Sequence, residues 1–306
     1  MRSAGAVAAV PSEAGGTSPA PPALQVEHLS VSIGGREILR DVTFSVAAGE
    51  VTGLIGMNGA GKTTLLRAIL GLQPVSSGRV AAASGRPGRR SIGYVPQKVL
   101  LDPDLPVRAR DLVALGADGA RLGIPLRSSA KRALVEELLA AVDGLALLDK
   151  RVGAMSGGEQ QKVLIAHALA RHPRLLLLDE PLANLDLRST QETVNLLARI
   201  AREQGVGILL STHDINPLLA VMNRLVYLAA GRAASGPAAE VVTSEVLSKL
   251  YGHHVDVFHA HGRVIVSVGE EHRELGCELG PEEECGPGHT AVATEELMAT
   301  FARDAP

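Results

Sequence analysis

Eight residues, Gly56-Met-Asn-Gly-Ala-Gly-Lys-Thr63, restrict the folds open to this chain more than any other stretch. Glycines at such spacing let successive backbone N–H groups turn inward around one anion. Residues 50–55 before the segment read as a short strand, and Thr63 to Leu72 after it has the apolar spacing of a helix. A strand, a glycine-rich turn and a helix N-terminus, in that order, make a phosphate cradle of the P-loop type. In such a loop Lys62 reaches the β- and γ-phosphates, and the Thr63 hydroxyl ligates magnesium. Gly56, Met57, Asn58, Gly59, Ala60, Gly61, Lys62, Thr63 and Thr64 are therefore the expected nucleotide contacts.

A second segment fits the same chemistry. Leu175 to Leu178 is apolar on both faces of any strand it forms, as a central parallel strand should be. Pro173 before it and Asp179-Glu180-Pro181 after it leave too few residues for a helix. The strand would bring Asp179 to the magnesium shell and Glu180 to the water that attacks the γ-phosphate. Ser156-Gly-Gly-Glu159 matches a Ser-x-x-Glu capping box at the start of a helix running to Arg171. The same exposed N–H donors suit an anion, so both readings can hold together. On its own this segment reads as a cap.

Composition closes off other classes. At 306 residues, 46% hydrophobic and 21% charged, the chain can bury one large core or two modest ones. A net charge of −3 and an aromatic content of 2% argue against a broad nucleic-acid footprint or base-stacking platforms. No apolar run reaches the roughly 18 residues of a membrane span, so any role at a membrane needs a partner. Cys277 and Cys285, both in the last segment, fit a reducing cytosol rather than a disulfide scaffold.

Residues 1–23 lack a hydrophobic period and read as a disordered tail, and the apolar run at 4–10 is too short for an export signal. Residues 24–33 and 42–46 alternate as an antiparallel pair around Gly34-Gly35. From about 98 to 170 the pattern is helical, as in residues 131–140. Strands at 175–178, 206–211 and 224–228 then alternate with helices at 187–203 and 216–222, which implies a mainly parallel sheet. The final part, 252–306, reads as a small hairpin of 255–261 with 264–268, then an acidic Gly-rich extension with a short helix at 294–301.

These segments, with Gln97, Asp186 and His213, resemble the ATP-binding cassette ATPases over residues 24–251. The resemblance implies an α/β fold of the P-loop NTPase type. A mainly parallel sheet core would carry an antiparallel β subdomain and an inserted helical subdomain. It implies ATP and magnesium as ligands, and a head-to-tail dimer in which Ser156, Gly157 and Gly158 of one subunit face the P-loop of the other. By the same resemblance Glu180 is the general base, His213 contacts the γ-phosphate, and Gln97 ligates magnesium with Thr63 and Asp179. Gln97 would also report nucleotide state to a transmembrane permease, which works with an extracytoplasmic substrate-binding protein at the cell membrane.

The chain departs from the family pattern at three places. Ile33 stands where an aromatic residue usually stacks on adenine, and Phe44 reads as core, so base selectivity should be loose. Met155 and Glu159 replace the commoner Leu and Gln, and the segment before Asp186 reads Ala183-Asn-Leu. The stretches 107–116, 212–219 and 244–251 are similar to the zinc and manganese uptake branch, with an exporter or an importer of another substrate as the alternative. In the tail, His259 and His261, and further on His272, Cys277, Cys285 and His289, are either incidental or a zinc-sensing set.

Overall fold

The computed structural model describes residues 22–82, 92–97, 106–118, 129–260 and 263–268. Residues 1–21 of the tail expected at 1–23, the 294–301 helix, and His261, His272, Cys277, Cys285 and His289 lie outside them. Ala23, by contrast, is buried in the core beside β1, so the core starts earlier in the chain than the pattern suggests. In chain order the elements are β1 (Leu24–Ile33), β2 (Arg36–Val46), β3 (Val51–Ile55), α1 (Lys62–Ile69), β4 (Ser77–Ala82), β5 (Ile92–Val95) and α2 (Ala109–Asp118). Next come α3 (Ser129–Ala141), α4 (Gly157–Leu169), β6 (Leu175–Asp179), α5 (Leu187–Gln204), β7 (Gly207–Thr212) and β8 (Arg224–Ala229). The last are β9 (Arg232–Gly236), α6 (Ala238–Val241), α7 (Ser244–Tyr251), β10 (Val255–Ala260) and β11 (Arg263–Val268).

Side-chain alternation in the central strands sorts the interior into two cores. Leu176 and Leu178 of β6 join Ile208 and Leu210 of β7 in one cluster, with α4 and α5. Leu175, Leu177 and Leu209 join the other, with α1, β1 and β2. Every residue of β3, β6 and β7 is buried, as a parallel sheet covered on both faces requires. Each fully buried leucine contributes about 1.5–3 kcal/mol relative to exposure. The order of this six-stranded sheet is β5-β6-β7-β3-β8-β9, parallel throughout except for the antiparallel β8–β9 pair.

A second, antiparallel sheet runs β2-β1-β4. The expected strand pair is its larger part, and Phe44 is buried in it as core. Helices α2, α3 and α4 pack together as the helical portion, and the His167 ring nitrogen Nδ1 lies 2.8 Å from the Leu112 carbonyl. Arg199 of α5 ties this portion to the sheet by bonding Asp143 at 2.7 Å and the Ala141 carbonyl at 3.2 Å. The terminal hairpin β10–β11 forms as the alternation suggests, and Val255 and Val264 belong to the larger core.

One expected helix is shorter than its apolar pattern. Residues 216–222 form a single 3-10 turn, Asn216–Leu218, because Pro217 starts it and the next N–H groups bond three or four residues back only as far as Met222. Asn223 then donates to Val51 on the neighbouring strand, which ends the turn.

Candidate active site

Register brings the residues expected to react to one edge. Ile55 stands beside Thr212, and Asp179 beside Ser211. The next residues along each strand, Gly56, Glu180 and His213, therefore leave the carboxyl ends of three adjacent strands, where open α/β sheets bind ligands. Gln97 arrives from β5, the strand beside β6, two residues after Val95.

The glycines of the loop have identifiable jobs. A Cβ on Gly56 would lie 2.4 Å from the Leu228 carbonyl oxygen, so only glycine fits against β8. Gly61 caps α1 at φ 107°, a left-handed conformation open to glycine. Helix α1 then starts at Lys62, which is 6% exposed. Its ammonium donates to the Gly56 carbonyl at 2.6 Å and the Met57 carbonyl at 3.3 Å, and stands 3.9 Å from Glu180 Oε1. Burial holds the Lys62 pKa below the ordinary lysine value, against the opposing pull of Glu180 and Asp179. A cation held by two backbone carbonyls can exchange them for phosphate oxygens. Met57, Asn58 and Gly59 are exposed, Ala60 and Thr64 half-buried, and Thr63 exposed on the first turn.

Asp179 is 5% exposed and accepts the Ser211 hydroxyl at 2.7 Å. The same hydroxyl oxygen accepts the Glu180 N–H at 2.9 Å. Ser211 thus locks the two acids in order, a role the sequence signalled only as a polar ending to an apolar strand. Glu180 has φ 47°, a conformation costing a non-glycine residue about 1–3 kcal/mol and typical of functional sites. Gln97 Nε2 donates to Glu180 Oε2 at 2.7 Å. His213 is exposed, and the following turn is closed by Thr212 Oγ1, which accepts the Asp214 N–H at 3.1 Å.

Ser156 lies elsewhere, as the N-cap of α4. Its Oγ accepts the Glu159 N–H at 3.3 Å, while Glu159 Oε2 accepts the Ser156 N–H at 2.8 Å, completing the capping box. Lys150 donates to both Glu159 carboxylate oxygens, at 2.9 and 2.6 Å. A Cβ on Gly158 would lie 2.9 Å from Ser189 Oγ, so this helix start abuts α5. There Asp186 is the N-cap, accepting the Ser189 N–H at 2.8 Å. Ile33 sits exposed at the end of β1.

A P-loop at the sheet's carboxyl edge, with a capped glycine helix start on an inserted helical portion, defines an ATP-binding cassette ATPase. A family profile described as ABC transporter matches residues 39–183. The zinc import ATP-binding protein of Halorhodospira halophila is 37% identical over 235 residues, covering 76% of this chain and 85% of that protein. The hemin import ATP-binding protein of Bordetella pertussis is 39% identical over 264 residues, 79% and 98% of the two chains. The manganese transport system ATP-binding protein of Listeria monocytogenes is 34% identical over 233 residues, 75% and 96%. Among solved structures, cbiO1 from Clostridium perfringens, part of the ABC transporter complex cbiONQ, superposes with TM-score 0.64 at 30% identity, covering 74% of this chain and 93% of that one. The chain belongs to the ABC transporter family, as an ATP-binding subunit whose ATP hydrolysis is coupled to transport. Among the described residues no helix is long and apolar enough to cross a membrane.

Proposed function

We propose that this chain energises import of a divalent metal ion, zinc or manganese, from the cytoplasmic face of the cell membrane. The observation that carries the reading is its likeness to a zinc import ATP-binding protein across 85% of that protein's length. The manganese relative supports the same branch. The hemin relative, at 39% identity, favours a second reading in which the cargo is a metal chelate. The working unit is a head-to-tail pair of these subunits with a separate permease and an extracytoplasmic binding protein.

The chemistry follows from the residues at the strand ends. Lys62 exchanges its bonds to the Gly56 and Met57 carbonyls for phosphate oxygens, at little electrostatic cost because the site already holds an ammonium. Glu180 takes the proton of the attacking water, and this requires Gln97 to release Glu180 Oε2. Any element that moves Gln97 therefore gates the base, a route by which a permease controls turnover. His213, leaving the adjacent strand end, faces the γ-phosphate. Ser156, Gly157 and Gly158 of the second subunit close the site from the other side. Thr63, Gln97 and Asp179 offer hydroxyl, amide and carboxylate oxygens, a donor set that suits magnesium. When bound, that ion neutralises charge building on the phosphates.

The test is co-purification with the membrane subunits from the native cell, followed by ATPase assays in vesicles with binding protein loaded with zinc, manganese or hemin. Stimulation by zinc or manganese supports the reading. Stimulation by hemin alone moves the cargo to chelates, and stimulation by none of the three overturns metal import.

A further inference from the structure

The turn after His213 is held from an unexpected direction. Asn216 is the third residue past the histidine, and its side chain engages the terminal hairpin, 48 residues on. Asn216 Oδ1 accepts the Val264 N–H at 2.8 Å, and Asn216 Nδ2 donates to the Val264 carbonyl at 3.1 Å. One amide thus satisfies both backbone groups of a single β11 residue, as a neighbouring strand would. A primary amide on a short arm offers this donor–acceptor pair, whereas a carboxylate lacks the donor and a hydroxyl lacks the reach.

The same amide also reaches back toward the histidine. Asn216 donates from both its backbone N–H and Nδ2 to Asp214 Oδ1, each at 2.9 Å. Asp214 is next to His213, and its own N–H is held by Thr212 Oγ1 at the end of β7. A continuous set of bonds therefore runs from β7 through Asp214 and Asn216 to β11. The hairpin at the far end is seated independently. Ser248 Oγ of α7 accepts the Val255 N–H at 2.9 Å, and Ser244 Oγ accepts the Val257 N–H at 3.0 Å. Val255 and Val264 are buried beneath it. So β10 is fixed to α7, and β11 is fixed to the turn that carries the histidine.

We propose that Asn216 is a positioning residue for His213, and that hydrolysis depends on the terminal hairpin through the Asn216–Val264 clamp. The inference rests on the role given above to His213. Asn216 contacts no reacting atom. Its part is to fix the turn that aims the histidine, and the hairpin makes that turn rigid. Displacing β11 removes both partners of the amide at once and frees the segment from Asp214 onward.

The test compares three variants of the full chain, and the first two combined, for ATP turnover, ATP affinity, thermal stability and amide hydrogen exchange. Asn216→Ala should lower kcat by roughly two- to thirtyfold, the range for coupling mutations remote from the chemistry. The KM for ATP should stay within about twofold, because the P-loop is untouched. Exchange should rise at Val264 and at residues 212–216 but not in α1. The double variant Ser244→Ala, Ser248→Ala loosens the hairpin from its other side and leaves Asn216 intact. It should lower kcat in the same direction, and the loss should largely vanish when the Asn216→Ala background already lacks the clamp. The third variant, His213→Ala, separates the two readings. Wild-type turnover in it overturns the role of the histidine and this inference with it. Inactive His213→Ala beside unchanged kcat in Asn216→Ala overturns the clamp alone. Additive losses from the serine pair and Asn216→Ala also overturn it, since the hairpin would then act by another route.

Discussion

The carboxyl edge of the sheet and the N-terminus of α4 both present donors suited to phosphate, yet they are held by opposite means. At the sheet edge, Lys62 and Asp179 are nearly buried, and although Lys62 bonds locally to Gly56 and Met57, the bonds that order the two acids join residues far apart in sequence. Ser211 bonds Asp179 across 32 residues, and Gln97 bonds Glu180 across 83. At α4, Ser156 and Glu159 satisfy each other three residues apart, and Lys150 is only nine away. The sheet edge is therefore a property of the whole fold, while the helix start is a local cap that happens to face outward. A local, exposed anion site does its work only when something brings a phosphate to it. A second copy of the chain is the partner that the proposed head-to-tail arrangement would supply.

The largest effect belongs to the sheet edge. Glu180→Gln keeps the side-chain shape and can still accept the Gln97 amide, but it cannot take a proton. Turnover should fall by about 10²–10⁴-fold with ATP affinity nearly unchanged, as single-turnover and equilibrium binding measurements would read. With ATP retained, size-exclusion chromatography should find the dimer. Hydrolysis near the wild-type rate would remove Glu180 from the role of base.

The α4 cap should respond in a way that depends on its partner. Ser156→Arg puts bulk where the opposite subunit's phosphate is proposed to dock and leaves its own P-loop intact, so the pure variant should be inactive. Mixed with Lys62→Ala, whose caps are intact, it should regain activity, because some mixed dimers keep one complete site. If Ser156 were a cap and nothing more, replacing it would lower stability by about 1 kcal/mol and leave turnover per folded molecule unchanged. No recovery in the mixture would refute the shared site.

The contrast also accounts for what could be read from the chain without coordinates. Lys62, Asp179, Glu180 and the α4 cap lie in short runs whose chemistry and flanking periodicity are local. Strands β4 and β9, Ser77–Ala82 and Arg232–Gly236, have almost no strand signal of their own and exist by pairing with β1 and β8. The Ser211 bridge, the Gln97–Glu180 bond and the Asn216–Val264 clamp are invisible in sequence for the same reason. Each joins segments whose proximity is decided by sheet order. The 3-10 turn at Asn216–Leu218 stays short because Asn216 bonds sideways to Asp214 and Val264 and Asn223 donates to Val51, which apolar periodicity does not register.

The smallest effect concerns the charge on the cap itself. Glu159 is a carboxylate at a helix start proposed to receive phosphate, and Lys150 covers both its oxygens. The Lys150 hydrogen bond first, then the Ser156 N–H, holds the Glu159 pKa below the ordinary carboxylate range. A depressed carboxylate pKa stabilises the fold above the unfolded value, and that contribution is lost as pH falls through the lower, folded one. Side chains 39% and 30% exposed limit the pair to below about 1 kcal/mol, so Lys150→Met should barely move the melting temperature at neutral pH. The little it does move should vanish in acid, where Glu159 is protonated. Turnover should be more revealing than stability. Without Lys150 the Glu159 charge repels the incoming phosphate, and the KM for ATP should rise by up to about fivefold. Adding Glu159→Gln removes that charge and should bring KM back, while the amide still caps the Ser156 N–H. A KM that does not change in Lys150→Met, or does not recover in the double variant, would mean the phosphate never senses this carboxylate.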